Sequence, residues 1–171
     1  CFVYDSEGDE VARYDKIHMF DVDIEDSHGS YRESDTFEAG DQLVVIDTPV
    51  GKVGLTICYD LRFAEMHAKL VDLGAQIIVN GAAFTRTTGQ AHWHTLLRAR
   101  AIETQCYMLA ASHGGQHDHR QTFGHSMIID PWGEILVELD EGPGIAVACI
   151  DLDHLKTIRR AFPLQYQRRL K

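Results

Sequence analysis

A run of apolar, mostly β-branched residues at 53–57 stops at Cys58, and the chain passes at once into Tyr59-Asp60-Leu61-Arg62-Phe63 and a helical pattern. The run reads as a buried strand and Cys58 as the corner between that strand and a helix. In α/β proteins ligands gather beyond the carboxyl ends of strands, where the next helix offers unpaired backbone N–H groups. Those donors and the helix dipole favour a thiolate and can hold an oxyanion. The corner therefore suits a nucleophile, although a buried structural cysteine fits the same position.

Around this corner the chain alternates strands and helices. Residues 1–5 and 10–14 form the arms of a hairpin about Ser6-Glu7-Gly8-Asp9. Residues 22–42 are acidic and polar with no period, and read as a surface loop. Residues 43–47 and 50–57 are strands around Thr48-Pro49. Residues 62–73 place Phe63, Met66, Leu70 and Leu73 at helical spacing, and Gly74 stops the helix. The short apolar strand at 76–80 returns parallel to the first, so the Gly-bearing tip after Asn80 is expected beside Cys58. Phe84 and Thr85 on that tip are candidate pocket walls, or simply loop residues packed inward. A helix at 90–105 turns Trp93, Leu96, Leu97, Ala101 and Ile102 inward, and a strand follows at 106–111. Antiparallel strands at 123–129, 134–139 and 144–152 and a closing helix at 153–160 complete a mixed α/β pattern.

Composition excludes several classes. Among the 171 residues the net charge is −10, and residues 1–41 hold 13 of the 26 acidic residues against Arg13, Lys16 and Arg32. Nucleic acid is not an expected partner, because phosphate binding needs a basic face. The basic tail, Arg168-Arg169-Leu170-Lys171, reads as a dimer arm on an acidic body. No apolar run approaches membrane-spanning length, so no membrane partner is expected. Cys1, Cys58, Cys106 and Cys149 include no C-x-x-C pair, which suits a reducing cytoplasm. His113, His117, Asp118 and His119 lie close in sequence, but a Gly-rich loop fixes no ligand geometry, so neither a metal nor a cofactor is expected. Residues 51–54 lack the glycine pattern of a phosphate loop.

The wording Gly-Leu-Thr-Ile-Cys-Tyr-Asp-Leu-Arg-Phe at 54–63 resembles the nucleophile motif of the nitrilase superfamily, the carbon-nitrogen hydrolases. Tyr14-Asp15-Lys16-Ile17-His18-Met19-Phe20-Asp21 resembles the family's lysine motif. Asn80-Gly81-Ala82-Ala83-Phe84-Thr85, Thr88-Gly89-Gln90-Ala91-His92-Trp93, Leu97-Arg98-Ala99-Arg100-Ala101-Ile102-Glu103, Gly124-His125-Ser126 and Asp130-Pro131-Trp132-Gly133-Glu134 resemble further family segments in order. Several ordered motifs over nearly the whole chain are far more specific than any one alone. The wording is most similar to the omega-amidase and deaminated-glutathione amidase branch.

The resemblance implies a four-layer α-β-β-α sandwich that dimerises, or assembles further, through the helices after Cys58 and Gly89. It implies a single domain over 1–171, incomplete at its N-terminus, because the family's opening third, with its catalytic Glu, has no counterpart here. The implied chemistry is hydrolysis of the amide bond of a small carboxylate-bearing substrate through a thioester on Cys58. Lys16 and the backbone N–H of Tyr59 would hold the oxyanion, and Glu33 matches the place of a second family glutamate, although an acid in an acidic loop is also simply solvated. Arg62 would attract a substrate carboxylate or serve structure alone. Nitrile or carbamoyl substrates, and a catalytically inactive remnant that binds a subunit, are the alternatives. Where many relatives read His-Trp-Glu, this chain reads His92-Trp93-His94, which removes a carboxylate within reach of Arg98.

Overall fold

The computed structural model describes residues 1–26, 29–118 and 120–170. Two hairpins come first. Strands β1 (Phe2–Tyr4) and β2 (Glu10–Arg13) pair antiparallel, as do β3 (Asp21–Asp23) and β4 (Ser30–Arg32). The second of these replaces part of the expected acidic loop. Its inward pair is Val22 and Tyr31, and polar contacts close it: the Arg32 guanidinium donates to Asp23 and to the carbonyl of Val22, and the Tyr31 hydroxyl donates to Asp26 at 2.9 Å.

The body of the protein is a six-stranded sheet. Antiparallel β5 (Val45–Thr48) and β6 (Gly51–Ile57) are followed by helix α1 (Ala64–Asp72) and by β7 (Ile77–Ala82), which lies parallel to β6 with Thr56 opposite Asn80. Helix α2 (Arg86–Thr104) crosses to β8 (Tyr107–Ser112), again parallel. Thr85 caps α2 by accepting the N–H of Thr88, so the helix begins four residues earlier than the apolar period at 90–105 suggests. A separate hairpin, β9 (Gly114–His117) with β10 (Arg120–Phe123), then precedes β11 (Met127–Ile129) and β12 (Ile135–Glu138), which extend the sheet antiparallel. Helices α3 (Leu152–Ala161) and α4 (Leu164–Gln167) close the chain.

Pleating sorts the sheet residues onto two faces. One face carries Ile78, Asn80, Met108, Ala110, Met127 and Ile129, all buried. Gly54 lies on this face under Leu70 of α1, whose methyl a Cβ would meet at 3.3 Å. Trp93, Leu97 and Ala101 of α2 are fully buried in the same core, whereas Ile102 is turned outward and packs on the Gly133 turn. The opposite face is where a second sheet packs in an α-β-β-α sandwich. There Val79, Leu109 and Ile128 are half-buried and line an open groove with Leu139 and Ala146.

One other expectation is corrected. Residues 144–152 have the alternation of a strand, but among the described residues 144–150 pair with nothing, leaving Ile145 and Val147 bare to solvent. A strand needs a ladder partner, and the pattern supplies only half of that condition. Arg168, read as part of a dimer arm, folds back onto its own chain, donating to Asp72 at 2.5 Å and to the carbonyl of Ala68; Lys171 lies outside the described residues.

His67 on α1 is fully buried, and its Nδ1 lies 3.0 Å from the carbonyl of Phe63. Burial pushes the imidazolium down to about 4, so the ring is neutral in the fold. The unfolded chain takes up a proton near pH 6.5 that the folded chain refuses. The stability His67 supplies is therefore complete above that pH and is lost as pH falls toward 4. Urea unfolding at pH 7 and pH 5 is expected to differ by about 2 kcal/mol from this group alone. His67→Phe should flatten the difference by that amount, and an unchanged slope in the variant would contradict the assignment.

Candidate active site

Cys58 is the first residue of a 3₁₀ turn, Cys58–Arg62, set directly on the end of β6. Its φ of 47° is in the left-handed region, which a residue with a Cβ occupies only when its surroundings impose it. Asp60 supplies much of that constraint. Its carboxylate is fully buried, and one oxygen accepts the N–H of Ile57 at 2.9 Å and the Tyr14 hydroxyl at 2.6 Å. The other accepts the N–H of His18 at 3.1 Å and lies 2.8 Å from His18 Nδ1. One side chain thus ties the cysteine corner to the segment that carries Lys16. Burial, then the Asp60 carboxylate, pushes the Tyr14 phenol far above its usual range, which fixes it as a neutral donor.

Lys16 follows Tyr14 by two residues, and its ammonium donates to Glu33. The same carboxylate oxygen of Glu33 accepts the N–H of Phe20 at 2.7 Å. Glu33 lies directly after β4, in a short 3₁₀ turn, Glu33–Asp35, so the β3–β4 hairpin is what brings it over the lysine. Lys16, Glu33 and Cys58 line one cavity of about 720 Å³.

The walls of that cavity come from both sides of the sheet edge. Tyr59, Arg62, Phe84 and Thr85, all expected from the sequence, line it, so each sequence-derived site residue faces the same space. Phe84 packs on Trp93 with ring centroids 4.8 Å apart, and the Arg62 guanidinium lies over the rings of Phe84 and Tyr59 at 5.3 and 5.7 Å. Burial lowers the pKa of Arg62, which raises the cost of leaving that cation without an anionic partner.

Several contributors escaped sequence reasoning. Phe20, Thr36, Phe37, Arg120 and Gln121 also line the cavity, the last two from β10. Arg120 sits over the Tyr31 ring at 5.3 Å. The backbone of Ala83, just past β7, favours the thiolate form of Cys58. Asp60 was legible as part of the cysteine wording but its role was not; the usable signal is a carboxylate two residues after an apolar strand, where burial demands partners.

Electrostatics at the sulfur favour the thiol. Burial pushes the Cys58 thiol up; the Ala83 N–H and the Lys16 charge oppose that rise, and the charges of Glu33 and Asp60 add to it. The net effect leaves a thiol at rest. A thiol of this kind becomes a nucleophile by handing its proton to a base as it attacks, with a cation alongside to hold the new negative charge. Glu33 is the carboxylate that lines the cavity among the described residues.

The arginines Arg98 and Arg100 of α2 find partners within the chain. Arg98 donates to the carbonyl of Gly133 at 2.9 Å, so no carboxylate at position 94 is required. Arg100 is buried and donates to the carbonyls of Leu61 and Arg62 and to Glu103, clamping α2 to the 3₁₀ turn after Cys58. In the loop that carries His113, His117 and Asp118, the His113 and His117 rings stack at 3.9 Å; His119 lies outside the described residues.

Comparison with known proteins gives a consistent match. The family model for carbon-nitrogen hydrolase covers residues 1–160. The chain is 53% identical over 168 residues to the deaminated glutathione amidase of Yersinia enterocolitica, covering 97% of this chain and 59% of that protein. Among solved structures, the C. elegans NitFhit protein superposes with a TM-score of 0.91 at 43% identity, over 98% of this chain and 41% of that one. Saccharomyces cerevisiae Nit3, described as a member of branch 10 of the nitrilase superfamily, gives 0.86 at 34% identity, over 99% of this chain and 59% of that one. The chain therefore spans at most about three-fifths of the length of these relatives.

Proposed function

The chain belongs to the carbon-nitrogen hydrolase family, and from that membership we propose that it takes part in hydrolysing the amide bond of a small carboxylate-bearing substrate through a thioester on Cys58. The observation that carries the reading is the meeting of Cys58 with the Lys16–Glu33 pair in one cavity. Residues 1–171 act in this reading as part of one hydrolase domain of a reducing cytoplasm, a reading its four free thiols support, assembled as a homodimer through α1 and α2. Among the described residues no helix is long and apolar enough to cross a membrane.

The Cys58 sulfur attacks the amide carbonyl carbon, and its proton passes to Glu33. The carbonyl oxygen becomes an oxyanion held by the Lys16 ammonium and the N–H of Tyr59. Collapse of the tetrahedral intermediate breaks the C–N bond. The leaving nitrogen takes the proton from Glu33 and departs as ammonia, leaving the acyl group on sulfur. Water then attacks the thioester, its proton again moves to Glu33, and collapse returns that proton to sulfur with release of the acid. Nitrile and carbamoyl compounds present the same sulfur with a similar electrophilic carbon, but the relatives named for an amidase favour an amide.

Substrate charge is read by Arg62, whose guanidinium lies over two aromatic rings at the cavity wall. An anchored carboxylate there contributes about 1.5–3 kcal/mol. Arg62→Met is therefore expected to raise KM for a dicarboxylate monoamide about 10- to 100-fold, with kcat changed much less. An equal loss with an uncharged amide of the same length would show that Arg62 serves structure rather than recognition.

A further inference from the structure

Three ionisable side chains converge at a place remote in sequence from the cysteine corner. His94 lies on α2, His125 lies in the segment between β10 and β11, and Glu138 is the last residue of β12. One Glu138 oxygen, Oε1, lies 2.8 Å from His94 Nε2 and 2.8 Å from His125 Nδ1. These atoms all lie within 4.8 Å of one another. None of the three residues lines the Cys58 cavity.

The rings are held from outside the cluster. His125 has a φ of 57°, and its carbonyl accepts the indole N–H of the fully buried Trp93 at 2.8 Å. Its imidazole stacks on Phe123 at 4.3 Å, while His94 meets the edge of the same ring at 5.9 Å. The side chains are 37%, 26% and 30% exposed for His94, His125 and Glu138, which leaves a path for an ion and a water. Burial works against ionising Glu138, yet the hydrogen bonds from the two histidines hold its carboxyl below the usual range. The nitrogens that face it are Nε2 of His94 and Nδ1 of His125.

We propose that His94, His125 and Glu138 form a binding site for a divalent zinc-like ion that fastens α2 to the β11–β12 hairpin. Two imidazoles and one carboxylate are the donor set of zinc and its transition-metal neighbours, and contain too much nitrogen for magnesium or calcium. Tetrahedral ligands at about 2.0–2.1 Å from zinc stand roughly 3.3 Å apart, so separations of 2.8 Å need open by only about half an ångström. On binding, each imidazole moves its proton to its other nitrogen or releases it to solvent, and offers the freed lone pair to the metal. A water fills the fourth position on the exposed side. The site rests on His94, the residue standing where many relatives carry a Glu, and it departs from the expectation of no metal, which was drawn from a different histidine cluster.

Titration of the metal-stripped protein with Co²⁺ tests this. One equivalent should bind with the weak visible bands of nitrogen and oxygen ligation and without a thiolate charge-transfer band. Zn²⁺ should displace it and, at a hundredfold excess over Kd, raise Tm by about 5–10 °C. His94→Gln and Glu138→Gln should each weaken binding at least about tenfold, whereas Cys58→Ala should leave it unchanged. Absence of binding by the unmodified protein, a thiolate band, or an affinity left unchanged by both glutamine substitutions would overturn the proposal. Should a variant fail to fold, the spectrum of the unmodified protein decides alone.

Discussion

Cys58→Ala is expected to lower the rate of amide hydrolysis by more than about 10⁴-fold and to leave the fold unchanged. The size follows from the chemistry. Without the sulfur no acyl-enzyme forms, and the Lys16–Glu33 pair can at most help a water attack directly. Structural tolerance follows from the site. The Cys58 turn is held by Asp60, which bonds the N–H of Ile57 and the hydroxyl of Tyr14 whatever side chain stands at position 58. Ammonia release measured against the unmodified chain, with circular dichroism to check folding, reads both halves. Retention of more than a hundredth of the activity would remove Cys58 from the mechanism.

The second large effect belongs to Lys16. Its side chain is only 9% exposed, and its ammonium donates to Glu33. Lys16→Met keeps most of the apolar stem and removes the charge. Loss of one oxyanion donor costs about 10²–10³ in kcat. The same change leaves the Glu33 carboxylate without its ammonium partner, and loss of the Lys16 charge raises the Cys58 thiol further. A fall of at least about 10³-fold in kcat with little change in KM is expected. A variant whose kcat stays within tenfold, or whose loss lies wholly in KM, would show that Lys16 binds substrate without holding the transition state.

How much of this was readable in advance differs residue by residue. The Cys58 corner declares itself because an apolar β-branched run ending in a polar turn has few other meanings. Lys16 has no such signature. A lysine in an irregular segment carries no period, and it was placed by resemblance of wording alone. Glu33 was harder still, since the strands β3 and β4 that deliver it are three residues long and hold one inward apolar pair, Val22 and Tyr31, too few to show a period. Its ladder is closed by side-chain hydrogen bonds, which no periodicity announces.

The opposite failure occurs at residues 144–152, where the alternation is present and the ladder partner is not. Binary patterning states which face of a strand wants burial, but pairing is a property of two segments. The His94, His125 and Glu138 cluster has the same origin. Its members come from a helix, a loop and a strand, and only the packing of α2 against β11 and β12 gives them a common centre. Asp60 is a third case. Its residue type was visible, but three hydrogen-bonding contacts to Tyr14 and His18 exist only once the corner and the lysine segment have met.

The most direct test of the shared Cys58, Lys16 and Glu33 site is the mass of the protein caught during turnover. The chain is mixed with a dicarboxylate monoamide, quenched in acid within the first turnover, and read by intact mass spectrometry and peptide mapping. The account predicts a gain equal to the substrate less ammonia, confined to the peptide that carries Cys58 and absent from Cys58→Ala. Ammonia release with no adduct on Cys58, or an acyl group found instead on Cys1 or Cys149, would contradict it.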